Sequence, residues 1–307
     1  MYFKEYLKSF RNEYAMTQES LAHALYAFDP DTFGGIDTTT VSKWERGVTQ
    51  PPVGKQVRIL QFFQAHSGLP FPALHHRTTT ETESIICRNG IENLIVGKKR
   101  DLVLNFPSEM MRPQDIIVSH LRSRSNMDAL IEVVADIRNY NNPSLLAVSP
   151  RKLREWALHP SSLFLVSTYK EIVTGIFFLI KLKTEAFDRI VSFRQSVDSV
   201  ETDDLAAPEE RESHYALAFF ALNALSASVL FLRYYAHIIA NQNRINRIGA
   251  TATLEDAKKI IANIDLEHLG TYRAENKEAD AYAASIHRVL ASSNVMKMIF
   301  RKEECPQ

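Results

Sequence analysis

The sequence predicts a multidomain chain, with an all-α domain first and then an α/β (α+β) domain on a mixed central sheet. Three observations predict this. The chain has 307 residues, enough for about two domains. Residues 1–66 carry helical periodicity alone, whereas later segments mix runs of Val, Ile and Phe with helical patterns. Between the two regimes, residues 68–84 read GLPFPALHHRTTTETES, whose prolines and clustered threonines mark a connector. The expected division is 1–66, a linker at 67–115, and a second domain at 116–307.

Composition narrows the function classes. With 36 Lys+Arg against 36 Asp+Glu, a polyanion must be met by a local basic face, which excludes histone-like and polybasic proteins. The two cysteines, Cys87 and Cys305, form no CxxC pair, so no disulfide framework or zinc knuckle is expected and a reducing, cytoplasmic setting is. Residues 215–232 are uncharged over about the length of a bilayer span. Asn223, Ser226 and Ser228 would need partners in lipid, so a buried strand running into a packed helix is expected there instead of a membrane segment.

Taken in order, Thr17 is placed to cap a helix that carries Leu21, Ala22 and Leu25 on one face. Residues 26–36, YAFDPDTFGGI, read as an extended loop from their Asp-Pro and Gly-Gly punctuation. Asp37 caps a helix at 38–46 with Val41 and Trp44 turned to the core and Gly47 ending it. A further apolar face follows Pro51-Pro52 through Val57, Leu60 and Phe63. Asn89-Gly90 between apolar runs predicts a β-hairpin at 83–96, then a basic turn at 97–100 and a strand at 101–106.

From 116 onward the patterns give a strand at 116–120, helices at 128–140 and 151–158, and strands at 163–169, 172–182 and 189–193. An acidic, solvated loop at 198–213 precedes a strand at 215–222 and a helix at 227–241. A strand at 247–253, a helix at 254–264 and a strand pair within 280–300 complete the order.

Thr17-Gln18, Leu21-Ala22 and the run Thr40-Val-Ser-Lys-Trp-Glu-Arg-Gly47 resemble the Cro/phage-repressor helix-turn-helix family. The resemblance implies a sequence-specific transcriptional regulator that binds double-stranded DNA. Thr38, Thr39, Ser42 and Lys43 would meet base edges in the major groove, and Gln18 and Arg46 would meet phosphates. Residues 1–66 hold as many acidic as basic side chains, so one module would bind weakly and a homodimer is expected to present two.

The alternation after 116, with Gly249 to Lys258 and Leu266 to Gly270 as its local match, resembles the GNAT N-acetyltransferase fold. That family cradles the pyrophosphate of coenzyme A on a glycine-rich turn at a helix N-terminus. Here the corresponding residues are Asn223-Ala-Leu-Ser-Ala-Ser228, with serine at both glycine positions. The expectation is therefore a ligand sensor without enzymatic activity, resident cofactor, metal or catalytic residue. Its effector would be a small, mostly apolar molecule, acyl-coenzyme A or a relative being the candidate, lined by Phe219, Phe220, Leu222, Asn223, Leu225, Ser226 and Tyr234. The alternative is an active acyl-coenzyme A-dependent N-acyltransferase fused to a DNA-binding domain, with Tyr169, Tyr215 and Tyr272 as acid–base candidates. His75-His76, His268 and His287 stand apart from other ligands in sequence and suggest no metal set.

Overall fold

The computed structural model describes residues 1–94 and 111–300. Two compact units divide the chain: Met1–Leu94, Tyr235–Asn243 and His287–Gln307 form one, and Ile95–Tyr234 and Arg244–Ile286 the other.

The first unit begins with α1 (Phe3–Glu13), α2 (Gln18–Phe28), α3 (Pro30–Phe33), α4 (Thr38–Arg46), α5 (Val53–Ser67) and α6 (Thr79–Leu94). Helix starts follow the caps read from the sequence: the Thr17 hydroxyl accepts the Ser20 N–H at 3.0 Å and the Asp37 carboxylate the Thr40 N–H at 2.7 Å. Gly47, at φ 72°, takes the left-handed geometry that ends α4. Leu21, Ala22, Leu25, Val41, Trp44, Leu60 and Phe63 are buried as expected, and Val57 is half-buried.

Two expectations in this region are corrected. Residues 26–36 are not one extended loop: α2 continues to Phe28, and Asp29 caps α3 through the Thr32 N–H at 3.1 Å. The Asn89-Gly90 hairpin is absent, because both residues lie inside α6. A reciprocal cap starts that helix, with the Glu81 carboxylate accepting the Thr78 N–H at 2.8 Å and the Thr78 hydroxyl accepting the Glu81 N–H. Once a helix is nucleated, continuing it outweighs the local turn preference of a dipeptide. The basic turn at 97–100 and the strand at 101–106 lie outside the described residues.

The second unit orders β1 (Ile116–His120), α7 (Met127–Asn141), α8 (Pro150–Leu158), β2 (Ser162–Tyr169), β3 (Ile172–Leu182), α9 (Thr184–Val191) and β4 (Glu212–Ala221). There follow α10 (Ala224–Ala240), β5 (Ile245–Ala252), α11 (Glu255–Asn263), β6 (Glu267–Ala274), β7 (Lys277–Ser285), α12 (Ile286–Leu290) and α13 (Ser293–Ile299), the chain passing between units within α10 and α12. Among the described residues the sheet has seven strands in the order β1-β2-β3-β4-β5-β7-β6, and of these only β4 and β5 run parallel. A parallel neighbour requires a crossover, which α10 supplies. A mixed central sheet with helices is what the sequence predicts for this part of the chain.

Three elements differ from the sequence reading. Residues 189–193 are not a strand, since Ala186, Phe187, Ile190 and Val191 form the buried face of helix α9. The last strand pair comes at 267–285, earlier than expected, because Glu275 and Asn276, at φ 55° and 57°, make a two-residue hairpin turn. The acidic segment is more than a solvated loop: Asp198 accepts the Ser149 N–H at 2.7 Å, Glu201 pairs with the buried Lys152 at 2.9 Å, and Asp204 pairs with Arg189 at 2.7 Å.

One sheet face packs Trp156, Phe164, Phe178, Phe187, Tyr215 and Leu217 into a single cluster with α7, α8 and α9. Phe187 lies so close to β5 that a Cβ on Gly249 would stand 2.7 Å from its ring, so glycine is the residue that admits α9. The other face joins the rings of Phe177 and Phe219 on the sheet to Phe231 and Tyr234 of α10.

Candidate functional site

The site begins with one extra residue in β4. Phe178 pairs with Ala218 and Leu179 with Ala216, which leaves Leu217 as a bulge. The bulge turns Leu217 and Ala218 to the same face, and the alternation beyond it is reversed. Phe220 therefore packs with the α7–α9 cluster while Phe219 faces α10. The two phenylalanines expected to line one cleft sit on opposite sides of the sheet.

At the same place β4 and β5 part. Their pairing runs from Glu212↔Ile245 to Ala216↔Ala250 and stops, although β4 continues to Ala221 and β5 to Ala252. Among the described residues the β5-side edge of Leu217–Ala221 has no strand partner. Beside the last shared pair, the Tyr215 and Thr251 hydroxyls meet at 2.8 Å. Arg138 of α7 donates from Nε to the Leu146 carbonyl at 3.1 Å and from Nη1 to the Leu217 carbonyl, which fixes the bulge.

The strand edge leads to the N-terminus of α10. Asn223 caps it, its Oδ1 accepting the Ser226 N–H at 2.8 Å. The Ala227 N–H bonds to the Asn223 carbonyl, while those of Ala224 and Leu225 have no partner among the described residues. The serines do not occupy the space in front of this turn: Ser226 is fully buried and the Ser228 hydroxyl donates back to the Ala224 carbonyl at 2.8 Å. The two N–H groups of Ala224 and Leu225 are the donors at this helix N-terminus that a phosphate of acyl-coenzyme A would need.

Of the other expected lining residues, Leu222 donates its N–H to the Thr174 carbonyl at 2.8 Å and Leu225 is buried. Tyr234 is engaged deeper, on the α10 face. His214 donates from Nε2 to Glu212 at 2.9 Å, and its Nδ1 accepts the Tyr234 hydroxyl at 3.2 Å, the assignment that satisfies all three groups with a neutral ring. Burial alone would raise the Glu212 carboxyl, but His214 and Lys181 hold it at about 2. Burial pushes His214 below its ordinary value.

His268, read as isolated, is not: its Nε2 lies 3.3 Å from Asp280, which also accepts the Thr271 hydroxyl at 2.5 Å and pairs with Lys258 at 2.9 Å. Burial would raise Asp280, and these donors bring it down to about 2. The candidate tyrosines separate, with Tyr272 stacked on Phe193, Tyr169 at the end of β2 and Tyr215 at the fork.

In the first unit Thr38, Thr39, Lys43 and Arg46 are exposed on α4 and Ser42 is half-buried. Arg46 donates to the Ser42 carbonyl at 3.3 Å. Gln18 donates to Glu45 at 2.8 Å, and Glu45 also holds Arg11 at 2.6 Å, so this side chain ties α2 to α4.

No known protein family matches the sequence, and no curated protein does. Among solved structures the chain is similar to FeeM, an N-acyl amino acid synthase from uncultured soil microbes, at 11% identity over 58% of this chain and 94% of that one, with a TM-score of 0.38. An N-acetyltransferase from Staphylococcus aureus gives 10% identity over 56% and 97%, TM-score 0.35. The GNAT domain of S. lividans PAT gives 13% over 55% and 89%, TM-score 0.36.

The expectation of a chain without enzymatic activity is corrected. The solved structures it resembles are described as acyl- and acetyltransferases. The Ser228 hydroxyl is turned back to the Ala224 carbonyl, and the N–H groups of Ala224 and Leu225 have no partner among the described residues. Among the described residues, no helix is long and apolar enough to cross a membrane.

Proposed function

We propose that the chain is an acyl-coenzyme A-dependent N-acyltransferase. The observation that supports this reading best is the fork at Leu217, where a bulged strand loses its parallel partner and its free edge runs to an open helix N-terminus. Acyl-coenzyme A, when bound, supplies an acyl group activated as a thioester. The free peptide edge of β4 donates hydrogen bonds to the carbonyl as it gains negative charge. The Ala224 and Leu225 N–H groups hold phosphate with the help of the helix dipole. An amine attacks the carbonyl carbon, the C–N bond forms and the C–S bond breaks, the amine loses a proton and the departing thiolate takes one. Tyr215 and Thr251, hydroxyl to hydroxyl at 2.8 Å, are the hydroxyl pair at the root of the fork.

Incubating the protein with acyl-coenzyme A of two to sixteen carbons and a panel of amines, then reading free thiol and product mass, tests the reading. Thermal stabilisation by at least one donor and amine-dependent thiol release are expected. Neither binding nor release with any donor would overturn it.

A second role is proposed for the first unit, supported by α4. Its buried face carries Val41 and Trp44, and its exposed face carries Thr38, Thr39 and Lys43 with Arg46 nearby. Such a face can read base edges in a major groove, with a homodimer placing two of them on successive turns. An effector that acts on this binding would be the donor or product of the same fork. Selection of enriched sequences from random duplex DNA tests it, and no enrichment would overturn it.

A further inference from the structure

A cleft of about 450 Å³ opens where the end of α9 meets β5 and β6, and none of the residues at the fork lines it. Arg194 and Arg247 both do. Arg247 of β5 is pinned: its Nη1 donates to Asp188 at 2.5 Å, and its guanidinium sits 5.2 Å from the centre of the Phe187 ring. Arg194, in the turn after α9, donates from Nε to the Ser192 hydroxyl at 2.9 Å, and that hydroxyl donates to the Asp188 carbonyl at 2.5 Å. The end of α9 therefore fixes both guanidiniums, one through Asp188 and the other through Ser192. Nη1 and Nη2 of Arg194, and Nε and Nη2 of Arg247, have no hydrogen-bond partner among the described residues. Two positive charges here face one carboxylate and the carbonyl end of a helix, which is worth about half a negative charge. The surplus is positive and smaller than one unit, so a single negative charge cancels it and two would reverse it.

The other wall is apolar and is held by a strained backbone. Phe193 takes φ 58°, with its N–H on the Ile190 carbonyl and the Arg194 N–H on the Arg189 carbonyl. That is the helix stop that glycine or asparagine ordinarily fills, and a bulky residue there is disfavoured. The ring stacks on Tyr272 at 5.4 Å between centroids and lines the cleft. Leu269 is the extra residue of a bulge in β6, between the pairs His268↔Tyr282 and Gly270↔Ala281, and it stands 44% exposed at the cleft. Beside it Gly270 leaves the floor open, since a Cβ there would meet nothing within 4 Å.

We infer that this cleft is a second ligand site, which binds a small organic monoanion with its carboxylate between Arg194 and Arg247 and its apolar body on Phe193 and Leu269. Guanidinium edges with spare N–H groups match a carboxylate, and a few polar anchors beside an apolar wall are what orient a small molecule. The site stands whether or not the chain transfers acyl groups.

Calorimetric titration of the full chain with phenylacetate, 3-phenylpropanoate and hexanoate, each beside its carboxamide, tests the site, with acetate and phenyl phosphate as further probes. At least one of the longer acids should bind about tenfold or more tightly than its carboxamide and than acetate. Arg194→Gln should lower that affinity about tenfold and leave the melting of the free protein unchanged, because Arg194 is exposed. Gly270→Leu should abolish binding by filling the floor of the cleft. Equal binding of acid and carboxamide, or no binding of any of these acids, would overturn the inference, and both comparisons need only the wild-type chain. Acetate binding as tightly as the longer acids would overturn the apolar wall, and tighter binding of phenyl phosphate would overturn the single charge. Undiminished binding in both variants would place the anion elsewhere on the chain and sink the site.

Discussion

Tyr215 of β4 and Thr251 of β5 join hydroxyl to hydroxyl at 2.8 Å across the two strands, beside the last residue pair they share. The bond closes the root of the fork and leaves the strands free to part above it. Tyr215 is fully buried and Thr251 half-buried, so the Tyr215 hydroxyl above all is poorly replaced by water when its partner is removed. Tyr215→Phe or Thr251→Val should each cost about 1–3 kcal/mol, and the double variant should cost less than their sum. Denaturant unfolding of the four proteins measures this, and an additive result would show the two hydroxyls to be independent.

Asn223 is expected to matter more than the serines. Asn223→Ala removes the cap on the Ser226 N–H and should cost about 1 kcal/mol of stability, with weaker acyl-coenzyme A binding as the first turn frays. Ser226→Gly should not improve donor affinity, because the serine side chain already points into the protein. A gain in affinity from the glycine variant would show the serine to obstruct the phosphate site.

The Glu212 and His214 pair sets an acid limit on stability. Glu212 is held at about 2 against an ordinary 4.5, so its contribution is complete above pH 4.5 and fades as the pH falls towards 2. His214 is pushed below its ordinary 6.5 by burial, and the unfolded chain gains a proton there first, so its contribution is complete above pH 6.5 and declines below it. Melting temperature should therefore fall from about pH 6.5 downwards. Glu212→Gln should cost about 3–5 kcal/mol at neutral pH and flatten the loss between pH 4.5 and 2, as read by melting across a pH series.

In the first unit, Trp44→Ala and Lys43→Ala should separate folding from recognition. Trp44 is buried, and its removal should destabilise by about 3–5 kcal/mol. Lys43 is exposed, so Lys43→Ala should leave melting unchanged and relax base preference at one position, at a cost of about 1–3 kcal/mol in a DNA titration. Equal base preference in both proteins would remove Lys43 from the reading face.

The local rules were legible in the residues themselves. Thr17 and Asp37 announce helix starts, Gly47 announces a stop, and the periodicity of Val41 and Trp44 marks a buried face. Much of the order of strands and helices after residue 116 was legible too from alternation and length, though not the helix at 184–191 nor the place of the last strand pair. Where a helix and a strand share a short apolar run, as at 189–193, the sequence period alone did not separate them, and the packing of Phe187 on Gly249 did. The Asn89-Gly90 turn failed for the opposite reason, a strong local signal overruled by a capped helix around it.

What the sequence determined by itself is therefore what nearest neighbours along the chain decide: caps, stops, amphipathic faces and the succession of elements. The tertiary structure alone decided the site. A one-residue slip between Phe178 and Leu179 makes the Leu217 bulge, and no pattern in residues 212–221 marks it, since its cause is the register of two strands separated by an excursion. The same holds for Arg138, an ordinary helix arginine in sequence, whose burial exists only once α7 is laid against Leu217. The burial of Ser226 likewise depends on what surrounds α10 and not on the residue's name. Side-chain identity fixes which bonds are available, and only packing fixes which of them water can no longer replace.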